Sequence, residues 1–215
     1  MFINEMDFRY KCVDEILSIS AMLSVNSAVF YRPKDKIVHA DTARQNFFLP
    51  GGDHLTLLNI YSQWADTAYS TQWCYENFIQ YRSMKRARDI REQLESLCER
   101  VEIEVTSCGK ESITIRKVSD LFLIDVHYML PNKKVQYSFK KFVFTFQAIT
   151  AGFFYHTARL SKEGGTYKTV KHQQAVHIHP NSALHEDRPR WLIYFELVFT
   201  TKEFMRQVAT IQHFI

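Results

Sequence analysis

Long apolar runs are missing from this sequence: nowhere do some 18 apolar residues follow one another, about the length a helix needs to cross a bilayer. The N-terminus, MFINEMDFRYK, also lacks a basic segment followed by a long apolar one, so neither secretion nor membrane spanning is expected. Cysteine is sparse. Cys12, Cys74, Cys98 and Cys108 lie far apart with no C-x-x-C pair, which indicates neither a zinc site nor a disulfide framework and fits a reducing compartment. Charge of one sign is not in large excess either, since 27 Lys and Arg stand against 23 Asp and Glu. The resulting +4, with a pI near 8.8, tilts the chain only mildly towards polyanions and does not by itself identify a nucleic-acid binder. What the chain has is 46% hydrophobic residues over 215 positions, enough to bury a real core as one large domain or two small ones.

Nucleotide loops are absent where glycines would permit them. After Gly51-Gly52 a phosphate loop of the Walker type needs Lys and then Ser or Thr to reach phosphates and Mg²⁺, but Asp53, His54, Leu55 and Thr56 follow. The dinucleotide pattern needs a third glycine and a preceding strand, whereas Leu49-Pro50 reads as a break. Asp53 is instead a favoured helix N-cap, and Leu55, Leu58, Tyr61 and Trp64 recur behind it at helical spacing.

Helical patterning dominates the first hundred residues. Val13, Ile16, Leu17, Ser20 and Leu23 trace one face behind Asp14 and Glu15, and YRPKDK (31–36) interrupts with proline and charge as a solvated loop. A turn over Ser70 to Trp73 precedes another helical stretch. From Phe78 to Val101 a long amphipathic helix is expected, with Ala87, Ile90, Leu94, Leu97 and Val101 as its buried seam. Its exposed side carries Arg82, Lys85, Arg86, Arg88 and Arg91, then Glu92, Glu95 and Glu99, with i,i+4 pairs Arg88–Glu92 and Arg91–Glu95.

Beyond Arg100 the period shifts to two. Val101, Ile103 and Val105, then Ile113 and Ile115, alternate with polar residues, and Thr166–Val170, Ala175–His179 and Trp191–Thr200 also read as strands. Lys202–Ile211, with Phe204, Val208 and Ile211 on one face, reads as a final helix. The C-terminal half is thus a small β-rich unit of barrel size.

Catalytic chemistry does not emerge. His177 and His179 share a strand face, but two imidazoles are too few for a metal, and His172 and His185 would need turns to bring them in. No nucleophile has a suggestive base or oxyanion donors, so no catalytic residue and no metal site is assigned. The stretch Phe153-Phe154-Tyr155-His156-Thr157-Ala158-Arg159 mixes aromatics with a cation, which suits single-strand stacking and phosphate contact, and equally a core strand or helix with a polar rim.

YRPKDK (31–36), PGGDHLTLLNIYSQW (50–64), WCYENFIQYRSMKRARDIREQLESL (73–97), AITAGFFYHTARL (148–160) and the stretch from IHPNSAL to FTTKEFMRQV (178–208) together resemble the DEAH-box ATP-dependent RNA helicases of pre-mRNA splicing. YRSMKRARDIREQLE is most similar to the member that remodels the activated spliceosome before the first step. The resemblance implies an α+β chain: a helical, ratchet-like domain over 1–100, entered partway, then an oligonucleotide-binding (OB) barrel over 101–211, and a divergent tail at 212–215. It implies single-stranded RNA, spliceosomal proteins with a G-patch activator, and the remaining helicase domains as partners, with a place in the nucleus and none in a membrane. Its RNA-side candidates are Asp53, His54, Arg82, Arg86, Lys117, His156, Thr157, Arg159, Lys168, Lys171, His177 and His179.

No G-K-[ST] loop, D-E-A-H sequence or arginine-finger motif is present, so ATP and Mg²⁺ are expected on motor domains outside this sequence, which has no enzymatic activity of its own. A free-standing single-strand-binding or adaptor protein is the rival reading. Where the family runs directly from Ile115-Arg116-Lys117 into Ala148, this chain carries Val118 to Gln147. Val-Ser can be encoded by GTAAGT and Phe-Gln by TTTCAG, the ends of an intron, so a translated, unspliced intron is expected there, against a genuine surface loop. The whole is expected to be a fragment or a partial gene product.

Overall fold

The computed structural model describes residues 12–25, 29–107, 155–162 and 164–211. The expected strand at Ile113 and Ile115, the candidate Lys117, the insert 118–147, Phe153-Phe154 and the tail lie outside them. Two compact units divide the chain: one takes the residues up to Phe47 and those from Leu57, the other takes Phe48–Thr56 with the C-terminal residues.

The first unit is helical. α1 (Val13–Leu23), α2 (Ile37–Gln45), α3 (Asp53–Asp66), α4 (Thr71–Glu76) and α5 (Tyr81–Arg100) follow in order, α3 starting in the other unit. α1 carries Asp14 and Glu15 in its first turn, where the helix dipole favours negative charge, and packs on α5. Trp64 is fully buried, its indole N–H donating to the Ser70 carbonyl at 3.1 Å and its ring edge-on to Tyr61, Tyr69 and Tyr81. The turn expected at Ser70 is the start of α4, whose first-turn Trp73 N–H donates to the Ser70 hydroxyl at 3.2 Å. The 31–36 loop is exposed, but Phe30 bridges Ile79 and the Tyr31 N–H donates to the Phe78 carbonyl at 2.7 Å, so its root is pinned.

Two expectations fail in α5 and after it. The buried seam is Met84, Ala87 and Cys98 with partly buried Ile90 and Leu94, while Leu97 is 51% and Val101 62% exposed. The cause is Arg91. Its guanidinium reaches Asp14 and the Ser18 hydroxyl (3.1 Å) on α1 and Glu95 (2.9 Å) on α5, which turns the helix so that this row faces α1. Burial works against that charge, and the two carboxylates outweigh it. Residues 101–106 form no strand either: Val101 and Ile103 N–H groups donate back to Leu97 and Cys98, and Glu102 at φ 58° closes the helix.

The second unit is a closed barrel of β1 (Thr157–Leu160), β2 (Tyr167–Thr169), β3 (Ala175–Ile178), β4 (Trp191–Phe199) and β5 (Glu203–Thr210), in the order β1-β2-β3-β5-β4 with β4 returning to β1. All pairs are antiparallel except β3 with β5. Ala158, Tyr167, Val176, Ile178, Leu184, Leu192, Tyr194, Met205 and Val208 fill the interior. Tyr167 satisfies its buried hydroxyl by donating to the Pro189 carbonyl at 2.8 Å.

The helix expected over 202–211 is β5. Gln207 stands at φ 52°, and the ladder with β4 lapses between Arg206 and Val208. That left-handed residue shifts the phase of the strand, so Met205 and Val208, three apart, both face the interior. A strand with such a kink imitates helical spacing.

Candidate nucleic-acid interface

The Gly51-Gly52-Asp53-His54 stretch belongs to the barrel unit. Gly52 bridges Ala209 on β5, and the Thr210 N–H donates to the Gly51 carbonyl at 3.0 Å. A Cβ on Gly52 would lie 2.4 Å from the Val208 carbonyl oxygen, so only glycine permits this approach. α3 starts at Asp53 itself, so the helix lies where expected but Asp53 is its first residue and not the N-cap before it. Its carboxylate oxygens accept from the backbone N–H of Ala183 at 2.8 Å and of Val208 at 2.9 Å, 130 and 155 residues away in sequence. His54 is fully buried, and burial holds its imidazole down to about 4, against a hydrogen bond with the Gln207 backbone. A sealed imidazole presents nothing to a nucleic-acid strand; this segment instead fastens β5.

Open positions lie on the outer face of the barrel. Arg159 on β1 pairs in register with Lys168 on β2 and with Trp191 on β4, and its guanidinium lies over the Trp191 ring, 5.1 Å from the centroid. Arg159, Lys168 and Lys171 are exposed and make no ion pair with any described residue. Continuing across β3, Ala175 pairs with Lys168, and His177 pairs with Phe204 of β5. The His177 and His179 rings approach Phe204 at 6.0 and 5.7 Å.

Strand β3 ends at Ile178, so the two imidazoles are not side by side on one strand; they share an aromatic neighbour. His179 Nδ1 also accepts from the Asn181 N–H at 3.1 Å. Among the described residues, no group of three or more His, Cys, Asp or Glu could hold a metal ion. At the start of β1, exposed His156 stacks on Tyr194 with centroids 5.1 Å apart and rings 3° from parallel, and Thr157 is partly buried beside it.

Arg82 and Arg86 belong to the helical unit, exposed on α5 with Lys85 and likewise without an ion pair to any described residue. Arg88 and Arg91 differ, being tied to Glu92 (3.7 Å) and Glu95 (2.9 Å) at the expected i,i+4 spacing. The barrel thus gathers Arg159, Lys168 and His177 on outward strand positions, Lys171 in a turn and His179 just past the end of β3. Trp191 and Phe204 complete that surface; from sequence Trp191 is only the first residue of an expected strand and Phe204 falls on the face of the expected final helix, because their partners are set by register.

Comparison with known protein families finds a match in each half of the chain. Residues 6–57 match the helicase-associated domain (HA2), ratchet-like, and residues 146–214 match the oligonucleotide/oligosaccharide-binding (OB) fold. The five-stranded closed barrel and the helices before it have the architecture those matches require. An HA2 region followed by an OB fold indicates the C-terminal region of a DEAH/RHA-type helicase.

Proposed function

We propose that this chain is the RNA-channel and cofactor-docking end of a DEAH-box helicase of pre-mRNA splicing, acting in the nucleus before the first step. It holds single-stranded RNA on the outer face of its barrel and contributes no catalysis. ATP and Mg²⁺ act on motor domains that this sequence does not contain, and a G-patch protein is the proposed activator. The observation that carries the reading is the Arg159–Lys168 pair across β1 and β2, flanked by Trp191 and by the His177–Phe204–His179 cluster, on an OB-type barrel. Cations with no ion pair to any described residue attract phosphates, and aromatic rings beside them accept bases; OB folds bind oligonucleotides on the face of strands 2 and 3 and its adjoining loops, and Lys168 on β2 and His177 on β3 belong to that face.

Fluorescence anisotropy with labelled oligouridylate tests it. Single-strand binding is expected, stronger than to a duplex, with log affinity falling against log salt at a slope of about −2 if some three phosphates are contacted. Arg159→Glu with Lys168→Glu should abolish it, and Arg82→Glu with Arg86→Glu should weaken it if α5 also meets RNA. Undetectable binding at low salt would refute the RNA reading. Full-length transcripts test the parentage: an in-frame D-E-A-H motor upstream supports the helicase, and a transcript without one leaves a stand-alone single-strand-binding or adaptor module. Recovery of splicing complexes and a G-patch protein with the tagged protein from nuclear extract tests the partners.

A further inference from the structure

Helix α5 carries more apolar surface than its bundle buries. Residues seven apart lie almost in line along a helix, so Ala87, Leu94 and Val101 form one column, Ile90 and Leu97 the column beside it, and Met84, Arg91 and Cys98 a third. The third faces α1, where Arg91 is tied to Asp14 and Ser18, and where Cys98 packs with Val13 and Leu17 and Leu94 rests against them. On the other side Ile90 is only partly buried and Leu97 and Val101 are open. The Val101 N–H donates to the Leu97 carbonyl at 3.3 Å, which sets these two residues one above the other on consecutive turns. Two exposed aliphatic residues are ordinary on a protein surface, so exposure alone decides nothing.

The flank of this strip decides more. Next to it runs the column Arg86, Gln93 and Arg100, all three exposed and none of them acidic. Among the described residues, the ion pairs of α5 join Arg88 to Asp89 and Glu92, and Arg91 to Asp14 and Glu95; Arg86 and Arg100 take part in none. The acids Glu92 and Glu99 fall on the column beyond, further from the apolar strip. From Ile90 to Val101 the strip is about 17 Å long, some three helical turns, and the two guanidinium-bearing residues that border it are about 21 Å apart along the axis.

We infer that this strip is the docking face for an acidic amphipathic helix of a protein partner. Apolar side chains of that helix cover Leu97, Val101 and the open edge of Ile90, and its glutamates pair with Arg86 and Arg100. Charge selects this occupant. A second copy of α5 laid antiparallel would bring Arg86 against Arg100, like charge on like charge. A nucleic-acid strand would meet the two cations but no ring on which a base could stack, because the strip between them is aliphatic. The inference stands apart from the reading of the barrel face and assigns the helical unit a partner of its own.

The whole 215-residue chain is titrated with a fluorescein-labelled peptide of three heptads, leucine at the two apolar positions and glutamate at the flanking ones, and with the same peptide carrying lysine in place of glutamate. The glutamate peptide should bind and the lysine peptide should not. Leu97→Ser with Val101→Ser should weaken the glutamate peptide about tenfold or more and leave the melting temperature unchanged, because both residues are exposed. Arg86→Glu with Arg100→Glu should reverse the preference in favour of the lysine peptide, a gain that no loss of folding could produce. Absence of glutamate-peptide binding, or binding that neither double variant alters, would overturn the proposal. If Arg86→Glu with Arg100→Glu lowers oligouridylate binding while the glutamate peptide never binds, α5 is an RNA surface and the docking face is wrong, with the barrel reading untouched. A wild-type dimer that Leu97→Ser with Val101→Ser turns into a monomer would give the strip to a second copy and overturn it likewise.

Discussion

Two adjacent-glycine pairs punctuate this chain, and they do different physical work. Gly51-Gly52 and Gly164-Gly165 all have positive φ, at 106°, 116°, 75° and 78°. At Gly164 and Gly165 a Cβ would meet nothing within 4 Å, whereas at Gly52 it would meet the Val208 carbonyl oxygen at 2.4 Å, the Ala209 Cα at 2.7 Å and a Leu184 methyl at 2.9 Å. One pair lets a hairpin turn. The other lets a segment from far upstream lie against β5, where Asp53 and His54 then attach. The same dipeptide therefore marks a local conformational need in one place and a close approach of distant backbone in the other.

Gly52→Ala should produce the largest loss of stability. Its clashes are with backbone, which cannot rotate away, and φ 116° is unfavourable for any L side chain. Overpacking and backbone strain together predict a cost of about 5 kcal/mol, read by urea denaturation, with hydrogen exchange at Val208 and Thr210 rising first. A small effect would mean that the strap is loosely held and the two pairs are alike after all.

Asp53→Ala comes next. Removing the carboxylate leaves the Ala183 and Val208 N–H groups without an acceptor that a charged group had supplied, a loss of about 3 to 4 kcal/mol. Asp53→Asn keeps one acceptor oxygen and should recover part of this. Wild-type protection of both amides in Asp53→Ala would show that water replaces the carboxylate without cost.

His54 gives the same strap a pH signature. Unfolded, the imidazole takes a proton near its ordinary 6.5; folded, only near 4. Above 6.5 both states are neutral and the stability is intact. As pH falls from 6.5 to 4 the unfolded state gains a proton that the folded state refuses, so stability declines, by about 3 kcal/mol at the lower end. His54→Leu should flatten that part of the profile. An unchanged slope in the variant would assign the pH dependence to other groups.

The strap was only half legible in the sequence, and the reason is general. Asp53 could be read as the start of a helix because capping is decided by adjacent residues, and the pairs Arg88–Glu92 and Arg91–Glu95 because helical neighbours are four apart. The strands at 167–169, 175–178 and 191–199 followed from strand-forming runs bounded by Gly164-Gly165 and Pro180-Asn181-Ser182. What Asp53 bonds to is set 130 and 155 residues later, by a turn and a kinked strand that no local pattern announces. Gln207 defeated the reading of β5 for a related reason: one left-handed residue turns a spacing of two into a spacing of three, which imitates a helix. In α5, two adjacent rows were both apolar enough to be the seam, and Arg91 chose between them through Asp14 on another helix. The barrel face could be anticipated as a set of residue types; which of them stand side by side required the register.

The smallest effect is expected at the open pair. Gly164→Ala meets no atom, so its cost is confined to holding alanine at φ 75°, about 1 kcal/mol. The hairpin it sits in is closed from both sides, the Ser161 N–H donating to the Thr166 carbonyl at 2.9 Å and the Gly164 N–H to the Ser161 carbonyl at 3.1 Å, so the turn has bonds to resist the strain. Gly164→Asn should cost less than Gly164→Ala, because asparagine tolerates the left-handed region better, although it adds more atoms. The reverse order would mean that space, not backbone conformation, limits this turn. The two glycine pairs would then differ in the degree of crowding and not in kind. Urea midpoints for the two variants, measured beside Gly52→Ala, decide between these readings.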